Sequence, residues 1–195
     1  MKNQLKIAFI AILSISIFSG CGLMDIISKQ AHGIIVYGDQ AQVETTMNEY
    51  KKEVKSSNTH AIKIVEVNNQ KTLVMSKSTA EDLQKKELFY TVTSGDETEL
   101  LKSLPTVTAD TGIYFAKSAM NNFSLNNKAL KYEGNTIIGE GRRYVDSFTI
   151  VDDTTFQTIQ GTNKTMGILH FEKNPKEKTV DISKKVELFQ LVSIK

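Results

Sequence analysis

Residues 144–171, YVDSFTIVDDTTFQTIQGTNKTMGILHF, decide how this chain is read. Three apolar runs, 144–151, 155–159 and 166–171, are separated by Asp152-Asp153 and by the polar 161–163 segment, both of which favour turns. Runs this short, and this rich in β-branched and aromatic residues, read as strands. The same rhythm extends upstream through 112–116, 128–132 and 136–138, and downstream through 186–194, with breaks at Asn126-Asn127, 139–141 and Asn174-Pro175. Such spacing predicts an antiparallel meander, curled or closed into a barrel. The last run carries Val186, Leu188, Phe189, Leu191, Val192 and Ile194 on both faces, which predicts a strand interior to the sheet. Tyr144, Phe148, Ile150, Phe156, Ile168 and Phe171 are the expected core of this half.

The half before residue 112 mixes helices with strands. A short apolar run at 34–37 ends at Gly38, and Asp39 then reads as an N-cap. Val43, Met47, Tyr50 and Val54 follow at helical spacing, with Lys51, Lys52 and Lys55 late in the segment as the helix dipole favours. Alternating Ile62, Ile64 and Val67, a turn at Asn68-Asn69 and a return through Thr72 to Met75 predict a β-hairpin. Ser78-Thr79-Ala80-Glu81 reads as a capping box opening a second helix through Leu83. Residues 88–93 are strand-like, and 96–104 read as a third helix closed by Pro105. The expected class is α+β, with N-terminal helices and a hairpin followed by the meander.

The 195 residues suit one domain able to bury a core without disulfide staples. Basic side chains number 24 and acidic ones 22, which points away from nucleic acid and other polyanions. A single cysteine excludes an internal disulfide and a cysteine-based zinc cluster.

The first twenty residues stand apart. Lys2 and Lys6 give a positive start, residues 7–18 form an apolar run broken only by Ser14 and Ser16, and Ser19-Gly20 leads to Cys21. These are the parts of a secretory signal peptide, and the run falls short of the roughly 20 apolar residues that a spanning helix needs. Phe18-Ser19-Gly20-Cys21 resembles the lipobox of bacterial lipoproteins, although Phe18 stands where leucine is usual. The resemblance implies that Cys21 is linked to diacylglycerol and that residues 1–20 are then removed. It divides the chain into a signal peptide (1–20), a lipidated N-terminus with a short tether (21–33) and one α+β domain (34–195). Loss of Lys2 and Lys6 leaves bases and acids equal, so the acyl chains alone must hold the protein to the membrane. The abundance of Lys, Asn and Ile, with no Trp, points to a Gram-positive host and the outer face of its cytoplasmic membrane. In a cell with an outer membrane, Gly22 in place of Asp would direct export to it.

Chemistry is sparse along the rest. His32, His60 and His170 occupy three different contexts without the spacing of a zinc hydrolase, and no nucleophile elbow or phosphate-cradling glycine loop is present. No cofactor is expected. Asp152-Asp153 is explained by turn chemistry. Arg142-Arg143 beside Tyr144 could bind a phosphate or carboxylate, and Asp146 either marks a β-bulge or points a charge into a ligand-sized cavity.

The leading expectation is a non-enzymatic module beside the membrane that binds a small hydrophobic or peptide ligand, or a partner protein. In size, anchor and β content it resembles immunity proteins against peptide antibiotics and accessory proteins of mobile elements. A sequestering module should enclose an apolar cavity, and a partner-binding one should expose an apolar patch. Two other readings are a signal peptide that yields a short apolar mating pheromone from residues 8–18, and an enzyme with an unfamiliar site.

Overall fold

Residues 33–38, GIIVYG, are buried on both faces, and that burial sets the architecture. In a computed structural model, which describes residues 31–95 and 97–195, strand β1 (Gly33–Gly38) lies between two antiparallel neighbours, β11 (Thr162–Phe171) and β12 (Leu188–Val192). The other strands of the large sheet are β2 (Val54–Val67), β3 (Gln70–Ser76), β6 (Gly112–Ala116), β7 (Ser124–Leu125), β8 (Lys128–Tyr132) and β10 (Ser147–Val151). Nine strands run in the order β12-β1-β11-β2-β3-β10-β6-β8-β7, and the sheet is not closed. A second sheet of three strands, β5-β4-β9, is formed by β4 (Phe89–Ser94), β5 (Glu97–Leu100) and β9 (Thr136–Ile138).

Both faces of the large sheet are packed. On one, Ile35, Tyr37, Ile62, Leu73, Met75, Phe115, Phe148 and Ile168 meet Leu83 of helix α2 (Lys77–Lys85) and Phe89 and Ile138 of the small sheet. On the other, helix α1 (Gln40–Tyr50) lays Val43, Met47 and Tyr50 on Ile34, Val36, Leu169 and Phe171. Further along that face, Phe156 of helix α3 (Asp153–Thr158) packs with Phe123, Val74, Tyr114 and Val151. A short helix α4 (Thr179–Ile182) contributes Ile182 near α1.

Several sequence expectations hold. The 62–75 hairpin forms, with Asn68 and Asn69 at φ 51° and 60° as a tight hairpin turn demands. Phe148, Ile150, Phe156, Ile168 and Phe171 are buried, and Tyr144 is half-buried with its ring stacked on Tyr37 at 4.9 Å.

Other expectations are corrected. The fold is mixed α+β rather than a meander: β3 pairs parallel with β10 and β6 parallel with β8, and α3 and α4 fall in the C-terminal half. Residues 153–158 are helical because the Asp152 carboxylate accepts the Thr155 N–H at 3.0 Å and caps a turn. Residues 97–100 form a strand, because they pair antiparallel with β4. The first helix ends at Tyr50, so Val54 and Lys55 belong to β2. The second helix is capped by Ser76, whose hydroxyl accepts the Thr79 N–H, two residues before the expected box. The last apolar run lies at the sheet's edge. Its apolarity is explained by Val192 and Ile194 packing into the main core and Phe189 and Leu191 against the opposite one.

Candidate functional site

Cys21 and residues 1–20, read as a signal peptide, lie outside the described residues, so the site belongs to the folded domain. Strand β10 enters the sheet between β3 and β6, and at that end the three strands leave a cleft of about 380 Å³. Gln70 from the start of β3, Ala116, Lys117 and Ser118 from the end of β6, and Arg142, Val145 and Asp146 from the approach to β10 line it. Two of the three sequence candidates are thus brought together. Arg143 is exposed and does not line the cleft, and its charge opposes the upward shift that burial imposes on Glu140.

Arg142 is held from one side. Its Nη2 donates to Asn135 Oδ1 at 2.6 Å and to the Thr136 carbonyl at 2.7 Å, and the guanidinium lies 6.0 Å from the Phe148 ring centre. Burial lowers its pKa from the usual arginine range without threatening its charge. Nε is buried with no partner.

Asp146 is held by backbone. Its Oδ2 accepts the Lys71 N–H at 2.8 Å, and its own N–H donates to the Lys71 carbonyl at 2.7 Å. The side chain is exposed, so the expectation of a charge pointing into an enclosed cavity is corrected: Asp146 sits at the mouth of an open cleft. Lys71 places its Nζ 4.2 Å from the centre of the Tyr144 ring, and the Tyr144 hydroxyl donates to Glu187 at 2.7 Å.

The histidines do not join this cleft. His170 packs against His32 with ring centres 4.9 Å apart, and His32 Nδ1 accepts the Ile194 N–H at 3.3 Å. Burial first, and then the His32 ring, lower the His170 pKa. His60 lies 3.0 Å from Asp82, yet burial outweighs that carboxylate and lowers its pKa as well. Asp152 caps α3, and Asp153 accepts from Ser78, so the acid pair is structural. Among the described residues no group of three or more His, Cys, Asp or Glu could hold a metal ion, and no helix is long and apolar enough to cross a membrane.

Two further open clefts flank α1 and α3 on the other face of the sheet. One, of about 310 Å³, is lined by Glu44, Met47 and Asn48 of α1 with Ser57, Asn58 and Thr59 of β2 among others. The other, of about 440 Å³, lies beside Gln40, Lys63, Phe156 and Gln157. Their linings mix polar and apolar groups. The large apolar side chains exposed among the described residues are Leu100 and Val180, which lie on separate elements. The pairing of His32 with His170 was missed in the sequence, since it joins segments far apart in the chain, and the Arg142 contacts to Asn135 and Thr136 were missed because no turn or periodicity signal marks them.

An open mixed sheet packed on both faces defines the class of the domain as α+β. The chain belongs to an uncharacterised lipoprotein family, whose model matches residues 31–195. It is also similar to a candidate lipoprotein from Bacillus anthracis, known from a crystal structure, at 38% identity and a TM-score of 0.80. That match covers 85% of this chain and 100% of the other. No curated protein matches the sequence.

Proposed function

We propose that the protein is a surface lipoprotein, anchored through diacylglycerol on Cys21 after removal of residues 1–20, whose domain binds a ligand or partner beside the membrane without catalysing a reaction. The spacing between Cys21 and the first strand carries this reading. β1 begins at Gly33, in the interior of the large sheet, so about twelve residues join lipid to core and reach at most about 40 Å when extended. The domain is therefore kept against the bilayer on the outer side to which the leader exports it. Membership of a lipoprotein family and likeness to a candidate lipoprotein from Bacillus anthracis support a membrane-associated address.

Binding without catalysis is favoured by the way titratable groups are engaged. Asp152 caps a helix, His60 faces Asp82, and Asp146 ties two strands. A ligand that needs an enclosed apolar chamber fits poorly, because the three clefts described are open and partly polar. A polar peptide or a partner protein fits that surface better.

The test is the intact mass of the membrane-fraction protein beside a Cys21→Ala variant. A mature species that begins at Cys21 and carries diacylglycerol, with membrane association lost in the variant, is expected. A chain retaining residues 1–20, or one without lipid, refutes the anchor.

A further inference from the structure

Arg142 and Asp146 share the cleft at the end of β3, β10 and β6 but do not pair with each other, whereas Lys164, Lys178 and Lys185 all find carboxylates at their side. Each is fixed by one end and leaves the other end unused. Arg142 spends Nη2 on Asn135 and Thr136, and this bracing beside Phe148 keeps the guanidinium from swinging away. Its Nη1 has no protein acceptor and is not among the buried orphaned atoms, so it is open to solvent in a residue that lines the cleft. Asp146 spends Oδ2 on the Lys71 N–H and leaves Oδ1 without a donor. The cleft thus presents a fixed cationic donor and a fixed anionic acceptor across a volume of about 380 Å³. Gln70 and Ser118 add neutral polar groups, and the exposed Lys117 adds a positive charge. A simple anion would meet the Asp146 charge and a simple cation that of Arg142. A molecule bearing both charges satisfies both groups, and fixed partners bind with less ordering cost.

We propose that this cleft binds a small zwitterion, a free amino acid or short peptide, with its carboxylate on Arg142 and its ammonium on Asp146. The proposal rests on the binding role argued above and makes it specific. It is tested on the mature lipidated chain in detergent, by equilibrium dialysis against radiolabelled glycylglycine, glycine, acetyl-glycylglycine and glycylglycine amide. The zwitterions are expected to be retained, and capping either end should weaken retention about tenfold or more. Tighter binding of glycine would mark a free amino acid as the ligand class, and tighter binding of glycylglycine a peptide. Arg142→Gln should abolish the preference for the carboxylate end. Because that change also removes the Asn135 and Thr136 contacts, Asp146→Asn serves as the second variant: its side-chain oxygen still accepts the Lys71 N–H, and it should lose the preference for a free ammonium. Equal retention of capped and uncapped probes, or unchanged selectivity in Asp146→Asn, overturns the proposal. So does no retention by chains whose mass shows the lipid, a result that leaves the lipoprotein reading standing.

Discussion

Gly167 shows how tightly α1 sits on the sheet. A Cβ at this position would meet Met47 Sδ, Val36 Cγ2 and Val43 Cγ1, each at 2.8 Å. Real side chains do not approach so closely, so Gly167→Ala must push the helix away or distort β11. We expect it to destabilise the fold by about 1–3 kcal/mol, the usual range for overpacking a core. Denaturant titration should show this as a lower midpoint with an unchanged slope, and a midpoint equal to that of the native chain would show that α1 is free to shift. Nothing in the sequence singled Gly167 out, because its neighbours come from β1 and α1. Arg142 and Asp146 were visible as candidates by residue type, yet their shared cleft was not: it exists only because β10 inserts between β3 and β6.

At the scale of elements, local chemistry was legible where a segment carries its own signal. The β2–β3 hairpin is one such place. Asn68 and Asn69 both hold positive φ, a region that asparagine tolerates and alanine resists by roughly 1–2 kcal/mol. Asn69→Ala should therefore lower stability by about 1 kcal/mol, and Asn69→Gly should not. Thermal melts of the two variants check this, and equal loss in both would mean that the asparagine side chain, rather than the backbone, sets the turn. Where the signal was weak, pairing decided. Residues 97–100 are strand because β4 offers an edge, and 153–158 are helix because Asp152 caps them. Both segments are short, so neither helical nor strand periodicity could be established from their few residues.

For the whole molecule, pH dependence follows from groups spread over both faces. His60 and His170 are held neutral by burial, with folded pKa values below the unfolded value of about 6.5. The unfolded chain binds more protons in that window, so stability falls as pH drops through it. Asp181 is depressed by Lys185 and then Tyr50, and in Glu187 the hydrogen bonds from Lys164 and Tyr144 outweigh burial. Their contributions are present above the unfolded carboxylate range and are lost as pH falls through the folded values. Unfolding midpoints between pH 7.5 and pH 3 should therefore decline in two stages, and His170→Asn should flatten the first. A profile level down to about pH 4.5 would contradict this account of the histidines.

By itself the sequence determined the α+β character, the β2–β3 hairpin and the burial of Phe148, Ile150, Phe156, Ile168 and Phe171. Each of these depends on residues close together in the chain, where turn chemistry, periodicity and side-chain type act directly. Only the tertiary structure decided the strand order, the parallel pairings of β3 with β10 and β6 with β8, the edge position of β12, and the cleft that Gln70 and Ala116, Lys117 and Ser118 build beside Arg142 and Asp146. These depend on which apolar faces bury one another across the whole chain. Sheet hydrogen bonds are made by backbone groups common to nearly every residue, so they carry little sequence mark, and long-range burial selects among the pairings that local signals leave open.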